Sequence, residues 1–309
     1  MTLLNEQAAG VYVIAVTPFT EEGALDLQST DRMVDFYLKK GATGLTVLGM
    51  MGEAPKLTAA ESSAFVKRVL ARVAGRVPVV VGVSAPGFAP MRELSESVMD
   101  EGAAGVMVAP PGHLRTDDQI YGYYEMVAET LGKTPFVLQD FPLVTNVQIS
   151  AAVILRIIKA LPTCVMLKHE DWPGLSKISA LRQASETGEG RRISILVGNG
   201  GMYLPEEMGR GADGAMTGFA YPEMMVDVTK AYAAGNVEHA HDLFDAYLPL
   251  ARYEQQPGLG LTIRKYTLAK RGAIASSALR KPGAKLSGAD IADIERLVAR
   301  QTRRLQAIN

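Results

Sequence analysis

The 309-residue sequence is poor in the residues that would point to a disulfide scaffold or a metal protein. Its one cysteine, Cys164, cannot form a disulfide within the chain. Of its four histidines, His239 and His241 are two residues apart on a helical run and face different directions, and His113 and His169 have no cysteine partner. We therefore expect no metal site and no cofactor.

Charge of one sign is also lacking. The 32 Lys and Arg residues nearly balance the 33 Asp and Glu residues, which gives a formal net charge of −1. This balance provides no electrostatic attraction for nucleic acid or for an anionic membrane surface, so we expect neither as a partner.

Long apolar runs of the length a membrane span needs are missing as well. The first ten residues lack the basic-then-apolar order of a signal peptide. Cys164 lies in an apolar run, where a free cysteine usually packs as a small core residue. These features favour a cytoplasmic protein in a reducing compartment.

Eight short apolar runs alternate with longer helical segments along the chain. The runs are nearly continuous, as in strands that are buried on both faces. They predict strands at residues 11–19, 44–49, 78–84, 105–110, 135–140, 164–170, 194–198 and 214–218.

The joints between the segments support stacked βα units. Gly-x-x-Gly sequences at residues 41–44, 102–105 and 211–214 each end a helical run and begin a strand. Thr58 and Ser150 stand where N-caps are expected. Eight such units predict a (β/α)8 TIM barrel, with a doubly wound open sheet as the alternative. We expect residues 1–221 to form the barrel core. Residues 222–309 would add the last barrel helix and a C-terminal α-helical extension of the same structural unit.

Chemistry in such a barrel takes place at the carboxyl ends of the strands. Lys168 follows four apolar residues of the sixth strand and lies at that end. Burial disfavours the ammonium form of a lysine, and a neutral amine can attack a ketone. The alternative is a lysine that reaches out from the rim and pairs with Glu170 or Asp171.

The Gly49-Met50-Met51-Gly52-Glu53 loop leads from the second strand to a capped helix. Its small residues allow backbone amides to approach an anion such as a carboxylate. Other strand-end candidates for substrate binding are Thr17, His113, Gly198, Met216, Thr217 and Tyr221. The Trp172-Pro173-Gly174 segment is expected to shape the loop after the sixth strand, and the Trp172 indole could line the pocket mouth.

The constellation resembles the N-acetylneuraminate lyase/dihydrodipicolinate synthase family. The resemblance rests on the Thr17-Pro18-Phe19 turn, the Gly-x-x-Gly-Glu loop at residues 49–53, the lone Lys168 and the Gly-Ala-Met-Thr-Gly strand at residues 214–218. It covers essentially the whole chain and implies a Schiff base between Lys168 and a 2-keto acid. It also implies a barrel with C-terminal helices and a homotetramer.

Three departures from the family pattern argue against dihydrodipicolinate synthesis. Where the best-known members have a Tyr-Asn-x-Pro motif, this chain reads Gln139-Asp140-Phe141-Pro142. The second proton-relay tyrosine corresponds to His113, and the carboxylate-binding arginine corresponds to Val144. The Gln-Asp ending looks more like the 2-keto-3-deoxy sugar-acid dehydratases of the family, nearest in kind to 2-keto-3-deoxy-L-arabonate dehydratase.

The resemblance therefore implies dehydration of a 2-keto-3-deoxy sugar acid, with Lys168 as the amine and Gln139 and Asp140 beside it. The group that moves protons stays open among Glu53, Asp140, His113, Tyr221 and a bound water. A pyruvate-dependent aldolase and a non-catalytic binding protein for keto or sugar acids remain alternatives.

Overall fold

The computed structural model describes residues 2–172 and 174–308. Eight parallel strands close into a barrel, in which each strand pairs with the next and the last pairs with the first. The strands are β1 (Gly10–Ile14), β2 (Gly44–Val47), β3 (Val79–Gly82), β4 (Gly105–Val108), β5 (Phe136–Asp140), β6 (Cys164–His169), β7 (Ser194–Val197) and β8 (Gly214–Ala215). The TIM barrel predicted from the sequence is confirmed, and the open sheet is excluded.

Helices follow the strands in alternation. They are α1 (Leu27–Lys39), α2 (Ala59–Val73), α3 (Phe88–Asp100), α4 (Asp117–Leu131), α5 (Pro142–Thr145), α6 (Ala151–Ala160), α7 (Leu175–Glu186), α8 (Leu204–Gly209) and α9 (Pro222–Ala233). Both predicted caps are present: Thr58 forms a complete capping box with Glu61, and the Ser150 side chain accepts from the Val153 amide.

Three further helices form the C-terminal extension: α10 (Val237–Glu254), α11 (Gly260–Lys270) and α12 (Gly288–Ile308). The long α10 packs against both α9 and α12. The predicted division of the chain at residues 221 and 222 coincides with the start of α9, and it stays a prediction.

Two apolar cores lie on either side of the strands. The larger one fills the space between the barrel and its helices. The smaller one fills the barrel itself and contains Ile14, Met107, Val137, Met166 and Met216. Alternate residues of each strand face these two cores, so the inward residues at the strand ends define the mouth of the barrel.

Cys164 is fully buried at the start of β6, where burial raises the pKa of its thiol to about 12. This agrees with its predicted role as a core residue. Pro173, which the sequence places in the loop after β6, lies outside the described residues. Its neighbour Trp172 packs edge-on against Tyr203, with ring centroids 4.8 Å apart, and is 41% exposed.

Candidate active site

The strand register brings Lys168 and Gln139 side by side at the carboxyl end of the barrel. β5 and β6 pair in parallel with Gln139 opposite Lys168. Two residues earlier on these strands, Val137 and Met166 belong to the core inside the barrel. Because side chains alternate along a strand, Gln139 and Lys168 also point inward.

Glu170 lies on the same face, two residues after Lys168. Its Oε2 atom is 3.0 Å from Lys168 Nζ and accepts a hydrogen bond of 2.7 Å from Gln139 Nε2. The three residues are only 3–5% exposed. Buried charges are tolerated when they are paired and hydrogen-bonded, and here one carboxylate oxygen meets both partners. We refer to Gln139, Lys168 and Glu170 as the amine cluster.

Neighbouring backbone fixes the position of Glu170. Its amide donates to the Asp140 carbonyl at 2.8 Å, and its carbonyl accepts from Asn199 Nδ2 at 3.0 Å. Gly198 leaves room for the carboxylate, because a Cβ atom there would lie 2.1 Å from Glu170 Cγ. The candidate residue Gly198 therefore contributes to the site because its lack of a side chain makes room for Glu170.

The amine cluster has the parts that proton transfer at an amine requires. A lysine attacks a carbonyl only as the neutral amine, and a carboxylate 3.0 Å from Nζ can accept the proton that the ammonium must lose. Gln139 does not ionise in water, so its role here is to hold Glu170 in place with a neutral donor.

The β2–α2 loop offers free amides at the barrel mouth. Met50–Gly52 form a turn of 3₁₀ helix, closed by hydrogen bonds from the Gly52 amide to the Gly49 carbonyl and from the Glu53 amide to the Met50 carbonyl. The amides of Gly49, Met50 and Met51 have no acceptor within residues 2–172 and 174–308. Met51 packs on the core inside the barrel, while Met50 is 37% exposed. Such a turn can bind a carboxylate through its amides.

Thr17, in the segment that follows β1, supports this turn. Its hydroxyl donates to the Gly52 carbonyl at 2.5 Å, and the side chain is fully buried. The structure therefore uses Thr17 to hold the loop, whereas we expected it to bind substrate.

Glu53 is occupied by the C-terminal segment, contrary to the role of substrate ligand or acid–base that we expected for it. Its Oε1 accepts from Lys265 Nζ at 2.6 Å. Its Oε2 accepts from Lys56 Nζ at 2.9 Å and from the Arg280 amide at 3.1 Å. With three donors on two oxygens and 2% exposure, this carboxylate is part of an internal ion pair.

Asp140 faces the helices, on the opposite side of β5 from Gln139. Its Oδ2 atom lies 2.7 Å from Lys177 Nζ and 3.5 Å from His169 Nδ1. His169 Nε2 lies 3.0 Å from the Gly174 carbonyl. The strand alternation that separates Lys168 from His169, as we predicted, also removes Asp140 from the amine.

Comparison with known proteins identifies the family of the chain. The model of the dihydrodipicolinate synthetase family matches residues 7–301. The chain belongs to this family. The resemblance inferred from the sequence is thereby confirmed, and membership makes the protein an enzyme of the lyase type.

Relatives in the family carry different activities. An L-2-keto-3-deoxyarabonate dehydratase from Azospirillum brasilense is 30% identical over 277 residues, which cover 88% of each chain. A 4-hydroxy-tetrahydrodipicolinate synthase from Sorangium cellulosum (strain So ce56) is 30% identical over 245 residues, which cover 78% of this chain and 79% of the relative. The crystal structure of a dihydrodipicolinate synthase from Rhodopseudomonas palustris is similar with a TM-score of 0.95 and 53% identity, over 97% of this chain and 100% of the other.

Two other residues proposed from the sequence, His113 and Tyr221, have neighbours that do not belong to the amine cluster. His113 is exposed and lines a groove of about 460 Å³ beside Phe88 and Tyr123, whose lining does not include Lys168. Tyr221 packs against Tyr247 and under the Arg271 guanidinium, 3.9 Å from its ring. Burial raises the pKa of Tyr221.

The last two candidates follow β8. Met216 is fully buried in the core inside the barrel. The Thr217 hydroxyl accepts from the Gly200 amide at 2.8 Å and so joins the β7 and β8 loops. Both residues shape the mouth, and Thr217 also has a protein partner of its own.

Glu170 is the member of the amine cluster that is not among the candidate site residues predicted from the sequence. The sequence pattern indicates it only as a partner that would neutralise a rim lysine. Period-two alternation was the signal that could have found it, since residue 170 must share the face of residue 168.

Among the described residues, no three His, Cys, Asp or Glu side chains converge as a metal site requires. In the same part of the chain, none of the helices is long and apolar enough to cross a membrane.

Proposed function

We propose that this protein forms a Schiff base between Lys168 and the ketone of a 2-keto acid, and that it dehydrates a 2-keto-3-deoxy sugar acid. The observation that carries the proposal is the buried contact of 3.0 Å between Lys168 Nζ and Glu170 Oε2. It joins a nucleophile to a proton acceptor at the catalytic end of the barrel.

The β2–α2 turn supplies the binding half of the site. In this proposal the free amides of Met50 and Met51 hold the substrate carboxylate. Because the carboxylate and the ketone carbon of a 2-keto acid are adjacent, an anchored carboxylate would present C2 to the lysine.

Glu170 moves the protons. Lys168 transfers a proton to Glu170 and attacks C2. Glu170 then returns that proton to the C2 hydroxyl of the adduct, which leaves as water to give an iminium. The iminium withdraws electrons, so Glu170, again a carboxylate, takes a proton from C3 and an enamine forms. The enamine then expels the C4 hydroxyl as water, with Glu170 returning the proton that the leaving oxygen needs. Hydrolysis of the remaining imine releases the dehydrated keto acid and restores the amine.

This assignment differs from the names of two relatives that are called synthases. The observation against synthase activity here is Gln139, which stands where the best-known members have a proton-relay tyrosine and which donates to Glu170. Formation of 4-hydroxy-tetrahydrodipicolinate by the purified protein would overturn this part of the proposal.

Product analysis tests the reaction type. Purified protein is incubated with a 2-keto-3-deoxypentonate, and the products are identified by mass. A dehydratase gives a product lighter by one water with its carbon skeleton intact. An aldolase releases pyruvate and an aldehyde. No turnover, together with thermal stabilisation by the same compound, would favour a binding protein.

We also propose that the protein is a homotetramer that needs no cofactor. Sedimentation equilibrium at the mass of four chains would support the tetramer, and a monomer would overturn it. Loss of turnover on chelation, with recovery on adding a divalent metal, would contradict the absence of a cofactor.

A further inference from the structure

Helix α11 carries two consecutive cationic side chains in the interior of the protein. Arg264 is 2% exposed and Lys265 is fully buried. Taking two cations out of water is costly unless each finds partners, so their placement calls for an explanation. Both are directed at loops that follow barrel strands.

Lys265 reaches the β2–α2 loop. Its Nζ atom donates to Glu53 Oε1 at 2.6 Å and to the Ala278 carbonyl at 2.9 Å, and it lies 4.5 Å from the centre of the Phe19 ring. Phe19 belongs to the loop after β1. The ammonium therefore joins the extension to two neighbouring loops.

Arg264 reaches the loop after β8. Its Nη2 atom donates to the Gly218 carbonyl at 2.6 Å, and its Nε atom donates to Glu254 Oε1 at 2.6 Å. Glu254 in turn accepts from the Ala220 amide at 3.0 Å. Since β8, β1 and β2 are neighbours in the barrel, one turn of α11 supports three adjacent strand ends.

Glu53 directly follows the Met50–Gly52 turn. Its backbone is left-handed, with φ of 55°, and its amide closes the turn by donating to the Met50 carbonyl at 3.0 Å. A residue other than glycine keeps this conformation when its surroundings hold it there. The Lys265 contact is well suited to that task, because it fixes the side chain one residue after the turn.

We propose that Lys265 is a positioning residue, which acts through Glu53 to hold the Met50–Gly52 turn in the form that binds the substrate carboxylate. The inference rests on the function proposed above and deepens it. The extension helix α11 thereby becomes part of the binding apparatus, although it does not touch the substrate.

The test uses reductive trapping of Lys168 by pyruvate and borohydride, measured against pyruvate concentration. Lys265→Met removes the cation, and the double variant Glu53→Gln with Lys265→Met removes both charges of this pair, so that neither is left buried and unpaired. Lys56, the other cation on Glu53, has a side chain that is 25% exposed. Lys270→Met is the matched control, because Lys270 is on the same helix with its side chain 63% exposed.

We expect the double variant to unfold near the wild-type temperature and to need about tenfold more pyruvate for half-maximal trapping, as for the loss of one hydrogen bond to a charged group. Trapping at saturating pyruvate should reach the wild-type level, and Lys270→Met should match the wild type throughout. An unchanged half-saturating concentration in the folded double variant would overturn the inference alone. A wild-type protein that forms no adduct would overturn the proposed function and, with it, this inference.

Discussion

Each face of the β5–β6 pair has a lysine beside it, and the two lysines have different partners. On the inner face, Lys168 lies 3.0 Å from Glu170. On the outer face, Lys177 lies between two carboxylates, Asp140 at 2.7 Å and Asp171 at 2.8 Å. Lys168 belongs to β6 itself and Lys177 to α7, so the face of the strands, and not the kind of side chain, separates the two groups.

The contrast shows how one set of residue types can serve two purposes. A proton that passes from Lys168 to Glu170 leaves a neutral pair, which a buried site accommodates. An ammonium between two carboxylates cannot pass its proton to one of them without leaving the other as an anion that has lost its cation. We therefore expect the inner lysine to be reactive and the outer lysine to be structural.

The largest expected effect is on turnover, from Glu170→Gln. This change keeps the shape of the side chain and removes its ability to carry a proton. We expect kcat to fall by about 10²- to 10⁴-fold, the usual contribution of a positioned acid–base group. Steady-state turnover of the keto acid measures it.

Asp140→Asn is the matched control, since it makes the same chemical change on the outer face. Its kcat should stay within about threefold of the wild type, well short of an acid–base loss. Equal losses from the two variants would remove the distinction between the faces.

Lys177→Met should act on stability. It leaves the fully buried Asp140 without its cation, which we expect to cost about 3 kcal/mol of unfolding free energy. Denaturant titration measures this loss, and Lys67→Met, at a side chain that is 61% exposed, is the control. Loss of borohydride trapping at Lys168 in folded Lys177→Met would show that the outer group takes part in the chemistry.

A smaller effect on kcat is expected from Gln139→Leu. The substitution removes the neutral hydrogen bond of 2.7 Å that orients Glu170, and leaves the carboxylate with Lys168. We expect a loss of about tenfold, close to the contribution of one hydrogen bond to a charged group. A loss as large as that of Glu170→Gln would mean that Gln139 has a chemical role of its own.

The smallest expected effect is on the stability of the folded protein at acid pH. Burial alone would raise the pKa of Asp171, but its hydrogen bond to Lys177 and the attraction between them bring the pKa below its usual value of 3.8. The Asp171–Lys177 pair therefore stabilises the folded state above pH 3.8, and this contribution disappears as the pH falls through the lowered value. Below pH 3.8, the stability difference between wild type and Lys177→Met should shrink by about 0.2–1 kcal/mol. A constant difference across that range would contradict the pairing.

The fold could be predicted from the sequence because the pattern of an apolar run followed by a helical segment recurs eight times. Apolar runs gave the strands, and capping residues such as Thr58 and Ser150 gave the starts of helices. Seven of the eight predicted strands extend too far at their carboxyl ends, and only β5 ends at the predicted residue, Asp140. β1 was expected to continue to Phe19 and ends at Ile14, because the following residues leave the ladder to build the mouth of the barrel.

Only part of the site could be predicted from the sequence. Lys168 could be found because it ends an apolar run, and its contact with Glu170 follows from alternation. Glu53 and Tyr221 were assigned to the substrate because their partners lie far along the chain, at Lys265 and Arg271. The local sequence around a strand end cannot show that a lysine on a helix 212 residues later will form an ion pair with the Glu53 carboxylate.

The most direct test of the account is borohydride reduction in the presence of pyruvate, followed by peptide mass mapping of the wild type and Lys168→Met. The account predicts one reduced adduct, on Lys168, which is missing from folded Lys168→Met and retained in folded Lys177→Met. An adduct on another lysine, or none in folded wild-type protein, would contradict the claim that the inner lysine is the reactive one.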